Sequence, residues 1–109
     1  MSDLFKEMCS LSGKLSYFVD YIKDNEDRKN LLEFYLKVTG LCEQVSNQEF
    51  DENDDFYLDT IEKIMDTGSL IKEFKENQIE LTEVFDHLNI IINNVINIRE
   101  IEMKDINKQ

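Results

Sequence analysis

The chain contains no proline, and its three glycines, Gly13, Gly40 and Gly68, are scattered through 109 residues. Sandwiches and barrels need turn-forming residues roughly every 8–12 positions. This chain lacks them, so its backbone is free to run in long helices. Apolar residues make up 41% of it, including seven Phe and four Tyr. That is enough to build a core and excludes global disorder despite the heavy charge. A chain of this length holds one core, so residues 1–109 form a single domain.

The apolar spacing supports the same conclusion. Leu4, Met8, Leu11, Leu15, Phe18 and Ile22 recur at intervals of three and four, and so share one face of a first helix. Ser2 is placed to cap that helix, with Asp3 in its first turn. The polar run Asp24 to Asp27 ends it. A second helix follows through Leu31, Leu32, Phe34, Tyr35, Val38, Leu41, Cys42 and Val45, with Gly40 as a weak point. Residues 46–54 read as a loop, and Asp54 or Asp55 can cap a third helix. That helix is carried by Leu58, Ile61, Ile64 and Met65, of which Leu58, Ile61 and Met65 are the expected inward positions. Gly68 stands where a left-handed C-cap is expected, so Ser69 would open a short fourth helix carrying Leu70, Ile71 and Phe74.

The last segment is the longest. Leu70, Phe74, Leu81, Val84, Leu88, Ile91, Val95 and Ile98 alternate in a heptad-like pattern, interrupted by polar Asn77. A break at Asn77–Gln78 is expected. The alternative is one helix of about 37 residues, roughly 55 Å long. The β-branched stretch 89–98 is read as helix because no second strand exists to pair with it. Residues 105–109 are expected to fray. The predicted fold is therefore all-α, a compact up-and-down bundle of four main helices plus one short helix.

Acids outnumber bases two to one, and the net charge is -12. Phosphate binding requires the opposite balance, because Lys and Arg must displace counterions. Direct nucleic-acid binding and anionic membranes are disfavoured, whereas a basic protein partner is favoured. The charge is also concentrated. Residues 47–68 carry Glu49, Asp51, Glu52, Asp54, Asp55, Asp59, Glu62 and Asp66 against Lys63 alone, a net of -7 from eight acids and one base. Asp55, Asp59, Glu62 and Asp66, spaced by four, three and four, fall on one helix face. Like charges at that spacing cost a few tenths of a kcal/mol per pair, so the stripe is a candidate binding face. Asp51, Glu52 and Asp54 extend it, and Tyr57 is its expected aromatic anchor.

Two other site chemistries need weighing. The window Asp51 to Glu62 resembles an EF-hand calcium loop. Asp51, Asn53, Asp55, Asp59 and Glu62 stand at its ligand positions, although Phe56 replaces the glycine that the sharp turn requires. Cys9 and Cys42 fall inside helical patterns. The start Met1–Lys6 lacks a cationic, apolar leader, so a cytoplasmic location with both thiols reduced and buried is expected, a functional disulfide or redox pair being the lesser alternative. No metal-spaced His/Cys cluster, phosphate loop or presented nucleophile is visible, and the lone His87 sits beside a core position. Neither catalysis nor a cofactor is expected.

These readings imply a protein that works by binding. The leading expectation is a small acidic inhibitor: an immunity protein, antitoxin or phage-encoded inhibitor that neutralises a basic, nucleic-acid-acting target such as a toxin or nuclease. The alternative is a helical adaptor or self-assembling coiled-coil subunit, homodimeric through its long C-terminal helix.

Overall fold

A computed structural model describes residues 2–107, with side chains described for residues 2–102. The chain is all-helical, in the order α1 (Asp3–Tyr21), α2 (Asn25–Val45), α3 (Asp55–Lys75) and α4 (Leu81–Asn107).

Each helix start is set by a side chain that meets the unpaired N–H groups of the first turn. Ser2 Oγ accepts the Phe5 N–H at 3.2 Å. Asp24 Oδ2 accepts from Asp27 at 3.0 Å. Asp54 Oδ1 accepts from Phe56 and Tyr57 at 2.7 and 3.3 Å. In the loop before α4, the Glu83 carboxylate reaches back to the Glu80 N–H at 3.0 Å, the second half of a capping box. The α1–α2 turn is tightened from the other side, where Arg28 donates Nε and Nη2 to the Ile22 carbonyl at 3.0 and 2.8 Å.

The helices pair as two antiparallel hairpins laid side by side. Cys9 lies beside Cys42 and Ser12 beside Thr39, so α1 and α2 run in opposite directions. Leu4 meets Tyr57, Lys14 approaches Gly68, and Phe18 packs edge-on against Phe74 at 5.7 Å, so α1 and α3 run in parallel. Likewise Phe34 stacks on Phe85 at 5.2 Å, and Gln48 donates to the Arg99 carbonyl, so α2 and α4 run in parallel. Packing joins α1 to α2 and α3, and α4 to α3 and α2; α1 and α4 are diagonal, as are α2 and α3. The segment 46–54 therefore crosses the end of the bundle, held by Gln48 and by Phe50, whose ring lies 6.0 Å from that of Tyr57. The molecule measures 50 × 22 × 20 Å. Among the described residues, no helix is long and apolar enough to cross a membrane.

The core contains the expected stripes of α1, α2 and α4, except that Leu32 of α2 lies one position, about 100°, from buried Leu31 and is exposed. Leu81, Val84, Leu88, Ile91, Val95 and Ile98 are all buried within the bundle, so the heptad-like seam of α4 is covered by the chain's own helices.

The extra short helix is not present. α3 runs through Gly68 to Lys75, and Gly68 has no positive φ. A glycine permits a left-handed cap without imposing one, and inside a helix it costs only about 1 kcal/mol. The stripe Ile64, Thr67 and Ile71 continues across it and is buried throughout, which outweighs that cost. The break falls at Asn77, the one non-glycine residue with positive φ among those described (61°). Gln78 N–H bonds to the Glu73 carbonyl at 2.8 Å and Asn77 N–H to the Phe74 carbonyl at 3.0 Å. That is a Schellman closure with asparagine in the left-handed position. It also excludes the continuous helix of about 37 residues. Of the segment 105–109 expected to fray, residues 105–107 continue α4, and 108–109 lie outside the described residues.

Candidate functional site

The outward side of α3 is set by what its inward side buries. Tyr57, Thr60, Ile64, Thr67 and Ile71 are buried at alternating spacings of three and four. The opposite side of the same helix carries Asp55, Asp59, Glu62 and Asp66, all exposed. The spacing had placed these four acids on one face, and the structure brings them together as a ridge on the solvent side. One of them is neutralised locally: Lys63 Nζ lies 2.9 Å from Asp59 Oδ2. With Asp59 52% and Lys63 33% exposed, that pair contributes little to stability.

The acids ahead of the helix have local structural work. Asp54 is the N-cap. Asp51 Oδ1 accepts from the Asn53 N–H at 3.1 Å, an Asx turn, and the Asp51 N–H faces Glu102 Oε1 at 3.4 Å. Glu52 is exposed. The ridge and this turn form one continuous acidic surface across the start of α3.

Two sequence expectations are overturned here. Tyr57 is not an exposed anchor. It is 1% exposed, and its hydroxyl accepts the Leu4 N–H at 2.9 Å, so it belongs to the core between α1 and α3. Burial is the main cause that pushes its phenol above the ordinary value of 10.0. Leu58 and Met65 do not face inward; they are 49% and 57% exposed. Hydrophobicity alone had put the buried stripe one residue, or about 100°, out of phase. The true stripe is disguised by two threonines. Thr60 Oγ1 donates to the Phe56 carbonyl at 2.9 Å and Thr67 Oγ1 to the Lys63 carbonyl at 3.2 Å, so both hydroxyls are buried at little cost. The period-matched series Tyr57, Thr60, Ile64, Thr67, Ile71 was the available signal. The consequence for the site is that Leu58 and Met65, four residues before and three after Glu62, form an apolar edge along the acidic ridge.

The calcium-loop window fails on its backbone. Its first four positions form the turn before α3, but residues 55–62 are helical. A binding loop must wrap its ligands around the ion, whereas a helix holds Asp55, Asp59 and Glu62 in a row facing outward. Among the described residues, no group of three or more His, Cys, Asp or Glu could hold a metal ion.

His87 is half-buried and bridges helices. Its Nε2 lies 2.7 Å from the Lys63 carbonyl oxygen, which can only accept, so Nε2 carries the proton. The thiols depart from expectation: Cys42 is buried but Cys9 is exposed. The depression nearest the ridge, lined by Asp51, Asp54, Phe56, Tyr57, Ile98, Ile101 and Glu102, holds about 30 Å³. A small-molecule site needs roughly 300 Å³ or more, so this depression is too small to hold one. Compared with protein-family models, with curated proteins and with solved structures, the chain matches none.

Proposed function

We propose that the protein is a binding inhibitor of the immunity-protein or antitoxin kind, which docks the outer face of α3 onto a basic target and blocks that target's nucleic-acid-binding surface. The observation that carries this reading is the ridge Asp55, Asp59, Glu62 and Asp66, exposed over its whole length with Lys63, among the described residues, as the one cation paired to it. An anionic ridge steers a cationic partner and sets its orientation. Leu58 and Met65 supply the apolar contacts that such an interface needs near its centre, the role first assigned to Tyr57. The α4 seam that motivates the adaptor alternative is buried inside the bundle, which favours the inhibitor reading.

The test is the double variant Glu62→Lys with Asp66→Lys, which touches neither a cap nor the core. Wild-type protein immobilised in lysate of its native host should retain one stoichiometric basic protein at low salt and release it at high salt. The variant should associate with that protein on the order of 10–100-fold more slowly at low salt, with an unchanged denaturation midpoint. Equal binding by the variant would refute the assignment of the α3 face.

A further inference from the structure

The seam between α1 and α2 carries two side-chain contacts. Ser12 Oγ and Thr39 Oγ1 are hydrogen-bonded at 2.9 Å, and one turn away the Sγ atoms of Cys9 and Cys42 also lie 2.9 Å apart. Both cysteines are free thiols. A disulfide requires about 2.03–2.05 Å between the sulfurs, so they must approach by only about 0.9 Å more. The antiparallel register fixed by Ser12 and Thr39 keeps the two sulfurs facing each other. The thiols are unequal: Cys9 is exposed to reagents, while Cys42 is 8% exposed.

We propose that Cys9 and Cys42 are a reversible thiol–disulfide pair, oxidised by small-molecule disulfides of the glutathione class, whose closure staples α1 to α2. Cys9, as its thiolate, attacks one sulfur of the oxidant, forming a mixed disulfide and expelling one thiolate. Cys42 then gives up its proton and attacks Cys9 Sγ, expelling the second. The protein dithiol loses two electrons and two protons, and the oxidant leaves as two thiols. Burial is the largest cause holding the Cys42 thiol at about 12, which makes Cys9 the group that attacks first and Cys42 the one that resolves. The bond closes a loop between residues 33 positions apart and removes much of the freedom of the unfolded N-terminal half.

The experiment is incubation of the full chain with oxidised glutathione, read by intact mass, peptide mapping and thermal melting. The expected product is a monomer lighter by two hydrogens, with the Cys9 and Cys42 peptides joined. Its Tm should be higher by on the order of ten degrees, and dithiothreitol should reverse the change. Cys42→Ser, checked for native helicity, should stop at one glutathione on Cys9, and Cys9→Ser should take up none. Retention of both free thiols, a dimer linked through Cys9, or a wild-type chain that keeps glutathione on Cys9 without resolving would each overturn the proposal.

Discussion

Replacing Tyr57 by phenylalanine removes one oxygen atom and leaves the ring in the core between α1 and α3. That oxygen accepts the N–H of Leu4 at 2.9 Å, one of the first-turn donors of α1 that have no partner inside the helix. Ser2 already serves the neighbouring N–H of Phe5 and is not free to take over. Leu4 is 0% exposed and Tyr57 1%, so water has no ready access to the abandoned donor. An unpaired buried N–H costs about 1–3 kcal/mol. In domains slightly smaller than this one, each kcal/mol moves Tm by about 4–8 °C. Tyr57→Phe should therefore lower Tm by on the order of 5–15 °C. Urea denaturation followed by far-ultraviolet circular dichroism should show an earlier midpoint with an unchanged slope. Tyr17→Phe is the control, since Tyr17 is 80% exposed, and its midpoint should not move. A Tyr57→Phe midpoint within about 0.5 kcal/mol of wild type, the ordinary scatter of surface changes, would refute the argument that this hydroxyl caps α1 across the helix interface.

Glycine inside a helix costs about 1 kcal/mol relative to alanine, and a Cβ at Gly13 or Gly40 would meet nothing within 4 Å. Gly13→Ala and Gly40→Ala should each stabilise the chain by about 0.5–1 kcal/mol in chemical denaturation; a loss of stability at either would show a constraint the packing does not reveal. Asn77→Gly should be neutral or slightly stabilising and Asn77→Val destabilising by about 1–2 kcal/mol, because only the former accepts φ of 61° without strain. At high pH the folded chain holds the protons of Cys42 and Tyr57 beyond their ordinary values of 9.0 and 10.0. The unfolded chain ionises first and binds fewer protons, so stability is intact below about pH 9 and falls as pH rises through the range up to about 12. Denaturation midpoints measured across that range should decline, and should decline less in Cys42→Ala and Tyr57→Phe.

The sequence by itself determined that the chain is helical and most of the core stripes of α1, α2 and α4. In α1, α2 and α4 the inward positions are mostly apolar and periodic, and Ser2 and the pair Asp54–Asp55 mark two of the starts because such side chains can accept first-turn N–H groups, whereas Asp24, read only as part of a break, proves to cap α2. The break at Asn77 was legible for the same local reason. Local chemistry also placed Asp55, Asp59, Glu62 and Asp66 on one face, since helical period alone decides which residues share a side. The direction in which α3 turns that side was decided only by the tertiary structure. Thr60 and Thr67 become inward residues because their hydroxyls bond to carbonyls one turn back, while Leu58 and Met65, more hydrophobic, are left outside. Gly68 was ambiguous in sequence, since a glycine can end a helix or lie within it; packing of Ile71 on the same stripe as Ile64 settled it. Sequence offered the Cys9–Cys42 pairing only as the lesser alternative and could not show the contact. Two residues 33 positions apart meet only once the α1–α2 register exists, and that register is a sum of packing contacts that no single stretch of chain specifies.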